Sequence, residues 1–201
     1  MIQKENVKMS KIIKESPLHY IKSECHISKT KDISVVEEPF LGYLNLRGDI
    51  KNKEFTRKVE KTLDLKIPQN PNSFNENNDY SIYWISPDEW LVTTKENQEL
   101  KLEEQLIQEL GEELFFAITN VSGGFTNICI NGDKAQTLLK KGTTLDIHKD
   151  IFKYGECAST QFAKTALLIA KGAGKDEFNL IVRRSFAEYL WCYLATGCEN
   201  L

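Results

Sequence analysis

Hydrophobic and polar positions follow two different periods along the chain, and these periods predict its secondary structure. Alternation over four to eight residues predicts a strand, whereas apolar residues at i, i+4 and i+8 predict an amphipathic helix. Helical periods occur in four segments: 54–65, 98–110, a short segment from Ala135 to Gly142, and 184–194. Strand-like segments cover residues 39–46, 80–85, 90–93, 114–121, 125–130, 157–162, 166–170 and 178–182.

The order of these elements is repeated along the chain. Residues 40–121 have the order strand, helix, strand, strand, helix, strand, which is the split βαβ pattern of a ferredoxin-like unit. A similar order occupies residues 122–201, although the amino-acid sequence itself does not repeat. We therefore predict an α+β fold in which two ferredoxin-like units are fused into a single domain over residues 39–201.

Residues 1–38 lack a sustained hydrophobic period, and we predict that they form an extended basic arm. Residues 1–31 contain seven lysines and three glutamates, whereas the net charge of the whole chain is −3. The arm is either a solvated tail or a segment that lies on an acidic surface of a partner. Ordering each residue costs about 1–2 kcal/mol of backbone entropy, so we expect the arm to become ordered only in a complex.

The composition excludes several classes of protein. Hydrophobic residues make up 41% and charged residues 27% of the chain, as in ordinary globular proteins. The acidic pI of about 5.7 lacks the excess of basic residues that is typical of a nucleic-acid-binding domain. No apolar run approaches the roughly 20 residues of a membrane span, and the start of the chain lacks the apolar core of a secretory signal. We expect a cytoplasmic protein that binds neither nucleic acid nor membrane.

The cysteines and histidines do not form a recognisable metal motif. The chain has five cysteines and three histidines, and no CxxC spacing is present. Only Cys25 and His26 are adjacent, and adjacent ligands rarely complete a zinc site. We therefore predict no metal ligands and five free thiols.

Residues with catalytic chemistry are also scarce. Asp88 and Glu89 are paired carboxylates suited to acid–base work, but their place in a turn favours a solvated or capping role. Residues 122–124 (SGG) lie between two strands, which favours a tight hairpin over a phosphate loop. We predict no catalytic and no cofactor-binding residue in this chain.

The last predicted helix is apolar nearly all round. Phe186 and Leu190 form its apolar stripe with Tyr189 and Trp191 on the flanks, and Glu188 is its one charged residue between Ser185 and Leu194. Such a helix either contacts a partner or is buried on both sides within its own domain. We predict that this helix and the strand containing Trp90 help to form a subunit contact, and the internal-core alternative stays open.

Several segments, in the same order, resemble those of the sarcosine oxidase gamma subunit family. Residues 87–92 (PDEWLV) resemble a PDEWLL segment, and residues 141–148 (KGTTLDIH) resemble a KGCxLDLH segment. Near the start, residues 16–18 (SPL) also fit. The closing segments resemble GxxAxT, FxLxV and RSFAxxLW, and they occupy residues 155–161, 178–182 and 184–191.

The resemblance implies a gamma chain in a heterotetrameric oxidase, with alpha, beta and delta chains as its partners. Such a complex demethylates sarcosine to glycine and releases hydrogen peroxide and a one-carbon unit that tetrahydrofolate accepts. The resemblance implies flavins and NAD on the large subunits, zinc on the small one and no cofactor in the gamma chain. It also implies a fold similar to the folate-binding domain of aminomethyltransferases, and a structural or assembly role without activity in the isolated chain.

The sequence departs from the family segments at three positions. Thr143 stands where the family has Cys, and residues 120–126 (NVSGGFT) stand in place of DVSxxRT. An Asp/Arg pair at Asn120 and Phe125 would bind a polar ligand, so its loss argues against folate binding. A stand-alone folate-binding or aminomethyltransferase-type protein, an orphan domain with an unrelated partner, and a different N-methyl amine substrate stay open as alternatives.

Overall fold

Two five-stranded antiparallel sheets face each other in the structure. A computed structural model describes residues 14–25, 27 and 31–201. The first sheet has the order β3-β4-β5-β2-β6, with β2 (Gly42–Gly48), β3 (Phe74–Glu76), β4 (Tyr80–Ser86), β5 (Glu89–Thr94) and β6 (Phe116–Asn120). The second sheet has the order β1-β7-β10-β9-β8, with β1 (Ser34–Glu38), β7 (Phe125–Asn131), β8 (Cys157–Phe162), β9 (Thr165–Lys171) and β10 (Glu177–Arg183).

Helices cover the outer face of each sheet. The helices α2 (Lys53–Leu63) and α3 (Glu99–Leu110) form one hydrophobic core with the first sheet. The helices α4 (Ala135–Lys140) and α5 (Ala187–Glu199) form a second core with the other sheet, and the short helix α1 (Ile21–Glu24) packs against α5. The architecture is therefore helix, sheet, sheet, helix, which is the predicted α+β fold with two ferredoxin-like units.

Helix α2 shows how local sequence signals specify these elements. Its first turn is capped by the Asn52 side chain, whose oxygen accepts hydrogen bonds from the backbone N–H groups of Glu54 and Phe55. Phe55, Val59 and Leu63, which are spaced four residues apart on one side of the helix, are buried against the first sheet. The helix ends at Asp64, which adopts the left-handed conformation with φ of 48°.

Strand β1 corrects the predicted boundary of the N-terminal arm. Residues 34–38 pair with β7 in an antiparallel register that places Val36 opposite Cys129. Val35 is buried, and the pattern of the strand alternates between buried and exposed. The predicted arm of residues 1–38 is thus wrong for this part, because an alternation of five residues is too short to stand out beside a lysine-rich segment. Strand β1 occupies the position in the second sheet that β6 occupies in the first.

The described part of the arm that precedes β1 also packs against the domain. Leu18 is fully buried in the core that contains α5, and Ile21 and Ile27 pack against the same core. The Arg184 guanidinium donates a hydrogen bond to the backbone oxygen of Glu15 over 3.0 Å. Residues 14–25 therefore lie on their own chain rather than extending as a free tail. Residues 1–13, 26 and 28–30, which include His26, lie outside the described part of the chain.

The buried carboxylate of Glu37 connects this segment to the second sheet. Glu37 lies on β1, and its side chain has no exposed surface. It accepts hydrogen bonds from the Ser16 hydroxyl over 2.9 Å, from Lys22 Nζ over 2.6 Å and from the Thr126 hydroxyl over 2.9 Å. A buried charge requires such partners, since desolvation would otherwise exceed any gain. The three donors come from the arm, α1 and β7.

We expect Glu37→Ala to lower the free energy of unfolding by about 2 kcal/mol, because hydrogen bonds to a charged group are lost and the Thr126 hydroxyl is left without its acceptor. Urea unfolding at pH 7 measures this change. The exposed Glu24→Ala on α1 is the control and should shift stability by less than about 0.5 kcal/mol. Equal effects of the two substitutions would contradict the role given to Glu37.

A third hydrophobic cluster fills the space between the two sheets. It contains Tyr43 and Tyr83 from the first sheet, and Cys157 and Ile181 from the second. The Cys157 side chain is fully buried, and its Sγ donates a hydrogen bond to the backbone oxygen of Ser73 over 3.3 Å. Burial raises the pKa of the Cys157 thiol to about 12, from an ordinary value of 9.0.

This shift predicts that the Cys157 thiol weakens the fold at alkaline pH. In the unfolded chain the thiol ionises near pH 9.0, whereas in the folded chain it stays protonated up to about pH 12. Ionisation of this thiol therefore leaves the free energy of unfolding unchanged below pH 9 and lowers it as the pH rises from 9 to 12. The free energy of unfolding in urea should fall for both proteins when the pH is raised from 8 to 10. The fall should be about 1 kcal/mol smaller for Cys157→Ala than for the native chain, because the variant has no thiol to ionise. Parallel pH curves for the two proteins would refute this assignment.

Candidate functional site

A cavity of about 950 Å³ opens between the two sheets. Strands β2, β5 and β6 form one wall, strands β8, β9 and β10 form the other, and Val121, Ser122, Gly124 and Phe125 also line the cavity. Leu91, Leu168 and Ile181 belong both to this cavity and to the hydrophobic cluster between the sheets. The cavity therefore has an apolar floor, and its polar groups lie around that floor. Clefts of this size are typical of small-molecule sites.

The cavity wall formed by the first sheet carries a carboxylate. Glu89 begins β5, and its Oε1 accepts a hydrogen bond from Asn45 Nδ2 on β2 over 2.6 Å. The Arg47 guanidinium lies 4.0 Å from Glu89 Oε2. The carboxylate is thus partly compensated by an amide and a cation, and its side chain keeps 27% of its surface exposed.

The neighbouring Asp88 has a different environment from Glu89. It is exposed in the turn before β5, where its carboxylate accepts hydrogen bonds from the Ser86 hydroxyl over 2.8 Å and from Arg47 over 2.9 Å. The hydrogen bond from the Ser86 hydroxyl is the main cause that holds the pKa of Asp88 below its usual range, and the Arg47 guanidinium adds to this effect. Asp88 therefore stays ionised and fixes the turn, which agrees with the solvated or capping role inferred from the sequence.

The SGG segment, which the sequence predicted as a hairpin, contributes Ser122 and Gly124 to the lining of the cavity. The hairpin prediction is wrong, because β6 belongs to the first sheet and β7 to the second, so the turn carries the chain from one sheet to the other. Ser122 fixes this crossing: its Oγ accepts from the Tyr43 N–H over 2.9 Å and donates to the Tyr43 carbonyl over 3.3 Å. Asn120 Oδ1 accepts from the Ser122 N–H over 3.0 Å.

Arg183 is the cationic group of the second sheet at this cavity. Its guanidinium lies 5.5 Å from the centre of the Phe125 ring, within the range of a cation–π interaction. The Phe125 ring in turn lies 5.6 Å from the ring of Tyr43. The cavity thus has Glu89 on one wall and Arg183 on the other. The sequence analysis missed both as cavity residues, since only the face-to-face packing of the sheets brings them to one space.

The four residues predicted for a subunit contact divide into two pairs. Trp90 is fully buried, and its indole N–H donates to the Pro68 carbonyl over 3.0 Å. Trp191 is 5% exposed, and its indole N–H donates to the Cys25 carbonyl over 2.8 Å. The prediction is therefore wrong for these two as contact residues, because each tryptophan fills a core within its own chain. Phe186 and Tyr189 are 44% and 38% exposed, so they remain predicted contact residues.

The N-terminal segment explains why α5 is apolar nearly all round. One side of the helix packs on the second sheet, and Leu18, Ile21 and Cys25 cover another side. The side with Phe186 and Tyr189 is left exposed, and the Tyr189 hydroxyl accepts a hydrogen bond from the backbone N–H of Lys164 over 3.2 Å. The internal-core alternative therefore describes the covered sides of the helix, and the subunit contact stays a prediction for its exposed side.

Two further expectations concern metals and membranes. Within residues 14–25, 27 and 31–201, no group of three or more His, Cys, Asp or Glu side chains is arranged to hold a metal ion. None of the helices in this described part is long and apolar enough to cross a bilayer. The prediction of no metal ligands remains a prediction, since His26 lies outside these residues.

Comparison with known proteins identifies the family. The family model described as "Sarcosine oxidase, gamma subunit family" matches residues 47–199, which is well over half of the chain. The chain belongs to the sarcosine oxidase gamma subunit family. The resemblance drawn from short segments of the sequence is confirmed. The match includes strands β5, β6 and β8 to β10 of the cavity walls and helix α5.

A curated relative and two solved structures are similar to this gamma-family chain. The sarcosine oxidase subunit gamma of Corynebacterium sp. (strain U-96) is 27% identical over 111 residues, or 54% of this chain and 51% of that protein. The aligned part thus spans about half the length of that relative. A chain of the heterotetrameric sarcosine oxidase from Corynebacterium sp. U-96, in complex with pyrrole 2-carboxylate, superposes with a TM-score of 0.83 and 19% identity, covering 93% of this chain and 95% of that chain.

The aminomethyltransferase likeness of the fold is also confirmed. Aminomethyltransferase T of the glycine cleavage system from Bartonella henselae superposes with a TM-score of 0.60 and 14% identity. The superposition covers 89% of this chain but 49% of that enzyme. The gamma-family chain therefore shares a fold with about half of an aminomethyltransferase.

The two classes of aromatic residue on α5 should respond differently to truncation. Trp191→Ala should lower the free energy of unfolding by about 3–5 kcal/mol, because a buried indole and its hydrogen bond are lost. This corresponds to a fall in the thermal midpoint on the order of 10 °C for a chain of this size. Phe186→Ala should change stability by less than about 0.5 kcal/mol, because half-exposed rings contribute little. Calorimetry on the two variants checks this, and a nearly unchanged midpoint for Trp191→Ala would count against the core assignment.

Proposed function

We propose that this chain is the gamma subunit of a heterotetrameric, sarcosine oxidase-like flavoenzyme complex of the cytoplasm. Its role is structural and concerns assembly, in the oxidative N-demethylation of sarcosine to glycine. The observation that carries the proposal is the family match over residues 47–199. The similarity in fold to a chain of a heterotetrameric sarcosine oxidase over 93% of this chain supports it further.

The partners in this proposal are alpha, beta and delta subunits, which contain the reacting groups. Flavins and NAD belong to the large subunits, zinc to the small one, and tetrahydrofolate accepts the one-carbon unit there. In the gamma chain, two polar side chains of the cavity are already hydrogen-bonded within the chain, Glu89 to Asn45 and Ser122 to the backbone of Tyr43. This self-contained pattern supports a scaffold role rather than a catalytic one.

The surface proposed for the subunit contact is the exposed side of α5 with the turn before it. Phe186 and Tyr189 lie within one helical turn of each other, so their rings share this side. The neighbouring Arg184 and Glu188 are exposed and provide a polar rim. A half-exposed aromatic pair bordered by charges is typical of an interface, where aromatic residues supply most of the binding energy.

A second candidate function is folate binding, and the cavity between the sheets is the observation in its favour. Its volume of about 950 Å³ is adequate for a drug-sized ligand, and Glu89 and Arg183 offer opposite charges on its two walls. Against it, the chain covers 49% of the aminomethyltransferase that it resembles in fold. Calorimetric titration of the free chain with tetrahydrofolate distinguishes the two readings, since the subunit proposal expects no heat of binding.

The assembly proposal predicts a specific result in co-expression with the alpha, beta and delta chains. The tagged gamma chain should retain all three, and the retained complex should show flavin absorption and oxidise sarcosine. The gamma chain alone should show neither property. Phe186→Ala combined with Tyr189→Ala should weaken retention by at least about 30-fold, since hot-spot aromatics contribute about 2 kcal/mol or more.

The control removes an exposed apolar side chain from the other side of the molecule. Leu100 lies on α3 and is 63% exposed, so Leu100→Ala should leave retention unchanged. Normal retention of the double variant would overturn the proposed surface but not the subunit assignment. Failure of the native chain to retain any partner would overturn the assignment itself.

A further inference from the structure

Two cysteines that are far apart in the sequence meet where the N-terminal segment crosses α5. Cys25 directly follows α1, and Cys192 lies in the second turn of α5. Their Sγ atoms are 2.8 Å apart, which is less than 1 Å longer than the bond of about 2.05 Å in a disulfide. Both thiols are half-buried. No spacing rule could reveal this pair, because 167 positions separate its members.

The surrounding contacts keep the two sulfur atoms together. The Cys25 carbonyl accepts the hydrogen bond from the indole N–H of Trp191, the residue next to Cys192. Lys22 lies one turn before Cys25, with its Nζ 5.8 Å from the Trp191 ring and 2.6 Å from the buried carboxylate of Glu37. The backbone on both sides of the pair is therefore fixed, so forming a bond requires only a small movement of the side chains.

The other three cysteines lack this arrangement in the described part of the chain. Cys157 is fully buried between the sheets, and burial raises the pKa of its thiol to about 12. Burial likewise raises the pKa of the Cys129 thiol, on β7, to about 12 and that of the Cys192 thiol to about 11, so the short distance between the two Sγ atoms is what sets the pair apart. Cys198 lies on α5 like Cys192 and is half-buried as well, so it provides a matched control.

An open groove gives small molecules access to Cys192, one member of the pair. It has a volume of about 400 Å³ and runs along α5, with Cys192, Tyr193 and Thr196 among its lining residues. The Tyr193 hydroxyl donates to the Lys141 carbonyl over 2.6 Å, which fixes one side of the groove. Hydrogen peroxide, whose volume is at most about that of two waters, is small enough to enter the groove and reach the Cys192 thiol.

We propose that Cys25 and Cys192 form a redox-active pair that hydroperoxides convert to a disulfide, which fastens the N-terminal segment to α5. One sulfur, as the thiolate, attacks a peroxide oxygen; the O–O bond breaks, a sulfenic acid forms, and water or an alcohol leaves with the proton. The second sulfur then attacks the sulfenic sulfur, the S–O bond breaks, and water leaves. The two thiols lose two electrons and two protons in total, and the peroxide gains both.

The disulfide would change how the segment opens rather than how it is folded. In the reduced chain, residues 14–25 are held by the burial of Leu18 and by the contacts of Lys22, and such a terminal segment opens locally without global unfolding. A covalent bond at Cys25 prevents the segment from leaving α5. Because this segment covers Trp191, the disulfide also keeps the Trp191 side chain from becoming exposed to solvent.

The proposal is tested by treating the full chain with hydrogen peroxide, alkylating the remaining thiols and mapping the linked peptides. We expect a mass decrease equal to two hydrogen atoms, loss of two of the five thiols, and one peptide pair that joins Cys25 to Cys192. Trypsin should cut the oxidised segment at Lys22 at least about fivefold more slowly than the reduced one.

Three variants separate the pair from general oxidation. Cys198→Ser should form the same link as the native chain. In Cys25→Ser and Cys192→Ser the link should be lost, and peroxide should oxidise the remaining thiol to a sulfenic acid that a sulfenic-acid probe then traps. Five thiols remaining after peroxide treatment, or a native link that involves Cys198, would overturn the proposal. The map of the native chain decides the question even where a variant fails to fold.

Discussion

The fold depends on a strand from the N-terminal part of the chain that completes the sheet of the C-terminal half. Strand β1 pairs along its whole length with β7, and the two sheets have the same number of strands because of it. Without β1, the second unit would lack the counterpart of β6, and the edge of β7 would be open. The buried carboxylate of Glu37 on this strand then positions α1, which covers α5. The pairing of β1 with β7 therefore has two consequences. The N-terminal segment covers Trp191, and Cys25 lies beside Cys192.

Most of the fold could be predicted from the sequence, because its signals are local. Phe55, Val59 and Leu63 repeat at helical spacing, and all three are buried as the pattern requires. The turn at Gly172–Lys175 joins two paired strands, as its glycines indicate. Strand β1 could not be predicted, since its five residues gain their stability from β7, about 90 residues later in the sequence. The crossing at Ser122 was misread for the same reason: a turn does not reveal which sheet the next strand joins.

The candidate site was predictable only in part. The apolar character of α5 correctly indicated that the helix is covered on more than one side, but it did not show what covers each side. Trp90 and Trp191 were expected at a subunit surface because of their size, whereas the indole N–H of each finds its acceptor within the chain. Glu89 and Arg183 are more than 90 positions apart and meet at one cavity only because the two sheets pack face to face. Long-range packing of this kind has no signal in a single sequence.

The position of β1 also determines the order in which the two sheets can form on the ribosome. All strands of the first sheet lie between residues 42 and 120, so that sheet can assemble as soon as they emerge. Strand β1 emerges earlier but must wait for β7, which takes about 5–20 s at ordinary rates of synthesis. During this time it is an unpaired edge that other chains could join. Glu37 and Glu38 place two negative charges on a strand of five residues, which disfavours such pairing until β7 arrives.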